Sequence, residues 1–304
     1  MIVNCVLDAV GNTPLIKLPQ FDPTIEANIY AKLEFLNPSG SIKDRIAKYI
    51  VEKAEKEGTL NKNSTIVEVT SGNTGIAFSM VAACRKYPIK IFLREDASKE
   101  RVKLMKSFGA NVIIRPKTDS YPDMIVQSKE MAEKDANIFL PRQFENEDNT
   151  EAHYFTTGKE ILNDLDHVDA VVAGVGTGGT LMGIAKAIKE VNPDVRVVAV
   201  EPAECAVMAG KEPGFHKIEG IGDGLIPDIV DMDLIDEIIE IKSDDAMKWT
   251  DKLIKAIGTM VGISSGANVL ASLETAKKIG SDKIIVTLLP DRGERYFSTE
   301  LFCD

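Results

Sequence analysis

Apolar positions along this chain follow two alternating periods. Runs rich in Val and Ile, such as "STIVEV", "PIKIFLR", "ANVIIR", "VDAVVAG", "VRVVAVEP" and "KIIVTLLP", alternate with stretches whose apolar residues recur at helical spacing. The first clear unit, "STIVEVTSGNTGIAFSMVAACRK", predicts a strand over Thr65–Val69, a turn over 70–73 and a helix from about Thr74. "PIKIFLRED" with "SKERVKLMKSFG" repeats the unit. "ANVIIRP" adds a strand and "YPDMIVQSKEMAEKD" a helix. "VDAVVAGVGTGGTLMGIAKAIKEV" is a second strand, glycine loop and helix. It is followed by strand "VRVVAVEP", the strand and helix of "DEIIEIKSDDAMKWTDKLIKAIG", the helix of "ISSGANVLASLETAKKIG" and a last strand. Such alternation predicts an α/β fold with mostly parallel sheets covered on both faces, where ligands sit beyond the carboxyl ends of the strands. The polar passage "LPRQFENEDNTEAH" predicts the break between two such series.

Length and composition narrow this picture. A chain of 304 residues, 44% hydrophobic and 27% charged, is large enough for two globular α/β units. The net charge of −11, with no basic block, argues against a nucleic-acid or anionic-membrane surface. Cys5, Cys84, Cys205 and Cys303 are scattered, so neither a zinc site nor a disulfide framework is predicted, and a reduced, cytoplasmic setting is expected. No apolar run reaches the roughly 18 residues of a membrane span.

Four loops carry candidate chemistry. In "GVGTGGT", residues 174–180, glycines let the backbone turn tightly, the following helix offers free N–H groups, and Thr177 and Thr180 add hydroxyls, which makes a phosphate cradle. The same letters satisfy G-x-G-x-x-G at Gly174, Gly176 and Gly179. With Glu201 about 20 residues on, a dinucleotide fingerprint is the alternative, and a plain tight turn is a third. "TSGNTG" presents Thr70, Ser71, Gly72, Asn73 and Thr74 at a second strand end, suited to a carboxylate, or merely a polar turn with a capping threonine. In "NPSGSIKDR", Ser41 is read as a helix cap. Lys43 lies above Ala47, Ile50 and Ala54, while Asp44 is expected to face outward. A first-turn lysine is opposed by the helix dipole and by burial, both of which favour its neutral amine, although a solvated charge cluster explains the same letters. "GISSGAN" supplies Ser264, a possible partner for a heteroaromatic nitrogen or a simple cap.

An amine, a phosphate cradle and a carboxylate turn at separate strand ends suggest pyridoxal 5′-phosphate. "NPSGSIKDR", "TSGNTG", "GTGGT", "IEGIGDGLIP", "GISSGAN" and "PDRGERYFSTELF" occur in the order found in the cysteine synthase (O-acetylserine sulfhydrylase) and cystathionine β-synthase family. The resemblance runs from "VGNTPLIKL" to "ERYFSTELF", essentially the whole chain. It implies the fold-type-II architecture, resembling the tryptophan synthase β subunit, with two open sheets enclosing the cofactor. Residues 38–145 would form a smaller, mobile substrate-binding domain, and 1–37 with 146–304 a larger cofactor-binding one. By position, Lys43 would bind the cofactor covalently and move the substrate's α-proton. Asn73 would meet its 3′-oxygen, Gly176, Thr177, Gly178, Gly179 and Thr180 its phosphate, and Ser264 its ring nitrogen. Thr70, Ser71, Gly72, Thr74 and Gln143 would hold the substrate carboxylate.

The implied activity is β-replacement of O-acetyl-L-serine by sulfide through an α-aminoacrylate intermediate, giving L-cysteine. The implied assembly is a homodimer, and members of the family can dock the C-terminal tail of serine acetyltransferase. Two residues depart from the pattern. Asp223 stands in "GIGDGLIP" where a small residue is common, and Arg142 stands beside Gln143 where a neutral amide is frequent. A carboxylate at 223 would repel bisulfide, yet could hold the amino group of an amino-acid thiol or act as an acid or base. The alternative reading is therefore a cysteine- or serine-consuming enzyme that releases sulfide or makes lanthionine or cystathionine, with Asp223 as a catalytic residue.

Overall fold

The computed structural model describes residues 2–302. The chain opens with β1 (Leu15–Lys17), β2 (Asn28–Leu33) and α1 (Lys43–Glu57). There follow β3 (Thr65–Val69), α2 (Asn73–Arg85), β4 (Ile89–Arg94), α3 (Lys99–Ser107), β5 (Asn111–Arg115), α4 (Tyr121–Lys134) and β6 (Ile138–Phe139). Then come α5 (Asp148–His153), a π-helical turn at Tyr154–Gly158, α6 (Lys159–Asp164), β7 (Ala170–Gly174), α7 (Gly179–Lys189) and β8 (Arg196–Pro202). The chain closes with β9 (Glu237–Ile241), α8 (Ser243–Ile257), α9 (Ile263–Ile279) and β10 (Ile284–Leu289).

The strands form two sheets. One has the order β1-β2-β10-β7-β8-β9 and is parallel except for the β1–β2 pair; the other, β5-β4-β3-β6, is wholly parallel. The α/β reading with mostly parallel sheets holds. Both faces of each sheet are covered, as the continuous apolar runs require. Ala170 and Val172 of β7 face α8 and α9, in a core with Leu253 and Leu273. Their alternates Val171 and Ala173 face Leu181, Ile184 and Ile188 of α7. In the smaller sheet, Ile66, Ile91 and Leu93 pack on Ile46 and Ile50 of α1 and on α2, while Val67, Val69 and Phe92 meet Met124 of α4. Among the described residues no helix is long and apolar enough to cross a membrane.

The start of α1 differs from its reading in the sequence. Ser41 is not the cap. It forms an isolated antiparallel bridge with Asp291, and the Ile42 N–H donates to the Pro290 carbonyl at 2.8 Å, so the helix begins at Lys43 with Ile42 before it. Asp44 does not face outward either, and with Arg45 it is buried. Asp44 accepts from the Ser39 N–H at 2.6 Å and from the Ser39 hydroxyl, and burial pushes its carboxyl up to about 6. Arg45 lies between Glu34 (2.7 Å) and Glu160 (2.6 Å), and Lys32 reaches Glu160 from the other side at 2.7 Å. Buried charges persist only when paired in this way, and local periodicity could not reveal partners so distant in sequence. Burial alone would raise the Glu34 and Glu160 carboxyls. The Arg45 guanidinium outweighs it, and Glu160 falls to about 2.

Cys5, Cys84 and Cys205 are free thiols, and Cys303 lies outside the described residues. Cys5 and Cys84, remote in sequence, are neighbours here. Burial, then the adjoining Cys5, pushes the Cys84 thiol up.

Candidate active site

The bridge that seats α1 fixes Lys43 at the first helical position, beside the carboxyl end of β10. Its amine lines two adjoining cavities. One is bounded by Thr70, Ser71, Asn73, Thr74, Gln143 and Asp223, the other by Gly176, Thr177, Gly178, Thr180 and Ser264. Burial lowers the lysine's pKa, partly opposed by the charges of Asp223 and Glu68. An amine so placed gives up its proton more readily than a surface lysine.

The loop from β7 to α7 is shaped by close approach. A Cβ on Gly176 would lie 2.6 Å from the Gly220 carbonyl oxygen, and one on Gly179 would run into the Asn149 amide. Gly178 adopts a left-handed φ of +85° against Val230, a conformation that favours glycine. The start of α7 follows, so its unpaired N–H groups point into the loop. The Asn268 Oδ1 accepts from the Gly174 N–H at 2.8 Å, tying α9 and its neighbour Ser264 to the same loop. Glu201 has no role in a dinucleotide site. It is buried and accepts the backbone N–H groups of Met208 (3.0 Å) and Ala209 (3.1 Å), which leaves a ribose no access to it.

The turn from β3 to α2 uses side chains more than backbone. The Thr74 hydroxyl donates to Gln143 Oε1 at 2.7 Å, and the Gly72 N–H donates to the Thr70 hydroxyl at 3.0 Å. A side chain at Gly72 would collide with the Arg101 stem. Asn73 is held from both sides. Its Nδ2 donates to Asp291 at 2.6 Å, and its Oδ1 accepts from Arg295. Gly72 and Gly179 complete their loops without bordering the cavities; the other expected residues all border them.

Asp223 enters the cleft from the glycine loop 220–224, where burial raises its pKa, opposed by Lys43 and then His216. Arg142 takes a left-handed φ of +53° and its side chain is 58% exposed, 3.9 Å from Glu145. It borders a separate cavity behind Gln143 rather than the cleft holding Lys43.

Several residues of the site were not foreseen. Arg101, on the helix of "SKERVKLMKSFG", is buried, stacks 4.7 Å from the Tyr296 ring centre, pairs with Glu219 and borders the cleft. Tyr121 and Phe144 border it too. Glu68, in a strand that otherwise reads as apolar, is buried with one oxygen lacking a partner, and burial raises its carboxyl to about 8. The only hint of it in the sequence is a charge inside a β-branched run.

The cradle fits a phosphate because its walls leave room only for backbone and hydroxyls. The Lys43 amine, the β7–α7 glycine loop and the β3–α2 turn converge on one cleft, an arrangement that suits a pyridoxal-phosphate enzyme. Residues 6–291 match the family of pyridoxal-phosphate dependent enzymes, and the chain belongs to that family. Among its relatives is the cysteine synthase of Staphylococcus aureus, 42% identical over 99% of this chain and 97% of that protein. The crystal structure of cysteine synthase from Entamoeba histolytica superposes with a TM-score of 0.94 at 42% identity, covering 99% of this chain and 91% of that one. A hydrogen sulfide-producing enzyme from Fusobacterium nucleatum superposes with a TM-score of 0.92 at 40% identity, covering 97% and 100%.

Proposed function

We propose that this protein makes L-cysteine from O-acetyl-L-serine and sulfide by β-replacement. The observation that carries the proposal is the convergence of Lys43, the β3–α2 turn and the β7–α7 cradle on one cleft. Gly176, Thr177, Gly178, Gly179 and Thr180 hold the cofactor phosphate, Asn73 its 3′-oxygen and Ser264 its ring nitrogen. When bound, pyridoxal phosphate supplies an electron sink for the carbanion at the substrate's Cα. Thr70, Ser71, Gly72, Thr74 and Gln143 hold the substrate carboxylate through hydroxyl, amide and backbone donors. Lys43, its amine favoured neutral by burial, takes the proton from Cα and returns one to the product.

Residues 38–145 act as the smaller, mobile unit in this reading, closing on 1–37 with 146–304. The same proposal includes a cytoplasmic homodimer and a cleft that receives the serine acetyltransferase tail.

A second reading rests on Asp223, whose carboxyl shares the cleft with Lys43. There it receives the amino group of a thiol-bearing amino acid, or a proton, and the enzyme releases sulfide from cysteine. Supplying O-acetylserine, cysteine and serine separately to the purified protein, with and without sulfide, separates the two readings. Cysteine and acetate from O-acetylserine plus sulfide are expected. Sulfide release from cysteine, with O-acetylserine inert, would overturn the first reading in favour of the second.

A further inference from the structure

Helix α5 lies in the polar passage that the sequence offers as a break between units, yet Asn149, Thr150 and His153 on it are buried. Asn149 and His153 are four residues apart, one helical turn, and so share a face. That face meets α7 at two glycines with the same spacing. A Cβ on Gly179 would strike Asn149, and one on Gly183 would lie 2.6 Å from the His153 Cβ. The two small residues let the helices approach until each α5 side chain touches one hydroxyl of the cradle. Asn149 Nδ2 lies 2.9 Å from Thr177 Oγ1, and His153 Nε2 lies 3.1 Å from Thr180 Oγ1.

The direction of each bond follows from its far end. The Asn149 amide also lies 2.8 Å from the Gln143 carbonyl oxygen, an obligate acceptor, so its nitrogen faces that way and its second N–H donates to Thr177. His153 Nδ1 lies 2.9 Å from the hydroxyl of Thr157, which sits in the π-helical turn and is fully buried. That hydroxyl proton has no other acceptor among the described residues, so it goes to Nδ1, and the ring proton sits on Nε2 and is donated to Thr180. The ring is neutral. Burial, and then the charges of Arg45 and Lys43, hold its pKa well below the usual value.

We infer that Asn149 and His153 are positioning residues which occupy the acceptor lone pairs of Thr177 and Thr180, leaving both hydroxyl protons to point into the cradle as donors. This rests on the phosphate reading of the 176–180 loop given above. A threonine whose oxygen is already receiving a proton offers its own to an anion, whereas a free one is as ready to accept as to donate. The chain Thr157 to His153 to Thr180 runs one way and ends on the ligand, as outer partners orient the groups that bind a metal.

The test is a double-mutant cycle on the holoenzyme, with His153→Phe, Thr180→Val and both together. The readouts are the rate of pyridoxal-phosphate loss on dilution and the ³¹P resonance of the bound cofactor. Each single variant is expected to lose cofactor about tenfold faster, and the double no faster than either, because both remove the same donor. His153→Gln, which keeps a neutral N–H, should recover most of the loss, and His153→Leu, which lacks a donor, stands in for His153→Phe in the cycle if the phenylalanine variant does not fold. Additive losses would overturn the inference, as would a His153 variant with unchanged retention and resonance. If Thr180→Val alone changes neither readout, the phosphate lies elsewhere and the cradle reading itself fails. Asn149→Leu with Thr177→Val should couple in the same way.

Discussion

The two loops that face each other across the cleft are supported in different ways. Behind the β7–α7 loop stand neutral groups, Asn149, His153 and Asn268, fixed by backbone carbonyls and hydroxyls. Behind the β3–α2 turn stand charges. Arg101 lies against Gly72, and Asp291 and Arg295 grip Asn73. A neutral shell adds no net charge, and would hold the proposed phosphate by directed donors alone. Paired charges can exchange partners when a substrate carboxylate arrives and leaves. The difference suits one loop to a resident and the other to a visitor.

The largest effect expected is that of Lys43→Ala. Both loops would remain, while proton transfer at Cα is lost, lowering kcat about 10²–10⁴-fold in a steady-state assay. Next, single methyl groups should separate the loops. Gly178→Ala, strained at φ +85° and pressed on Val230, should weaken cofactor retention about tenfold or more. Gly72→Ala should instead raise KM for the amino-acid donor by a similar factor, with retention near that of the wild type, because its methyl meets Arg101. If both variants moved the same parameter, the division between the loops would be wrong.

Arg45→Met leaves the buried Glu34 without its cation and Glu160 with Lys32 alone, and should destabilise the fold by about 3–5 kcal/mol in denaturant melts. In the intact protein Glu160 titrates at about 2, below its unfolded value of 4.5. Its contribution is therefore complete above about pH 4.5 and lost as the pH falls toward 2. Glu160→Gln should flatten that part of an acid-melting curve. The smallest change is expected from Asp223→Asn. Turnover of O-acetylserine with sulfide should rise severalfold at most as a repulsive charge leaves. A fall would instead give Asp223 a part in the chemistry.

What could be read from the letters was whatever is local. The β-branched runs, the glycine loops and the helix that follows each loop are set by neighbours within a few residues, so Thr65–Val69, Ala170–Gly174 and the cradle were legible. Asp44 was misread because helical periodicity says nothing of the loop at Ser39 that folds back over it, and the burial of Arg45 was hidden because a charge on a helix reports nothing about Glu160, 115 residues away. Asn149 and His153 were hidden in a passage whose polarity resembles a linker, since burial of polar side chains depends on partners that only the fold brings near. Arg101 was hidden for the opposite reason. Its helix has an ordinary amphipathic pattern, and a guanidinium resting on Tyr296 leaves no trace in periodicity.

The stitch that joins Ser41 and Ile42 to residues 290 and 291 also sets an order of events during biosynthesis. A growing polypeptide that has passed residue 43 but not yet released β10 from the ribosome has nowhere to seat the beginning of α1. The amine is present early, but its address is written 247 residues later, at Pro290. Any capture of the proposed cofactor in this cleft would then wait until β10 has emerged and paired, so the site closes only after both ends of the stitch have been made.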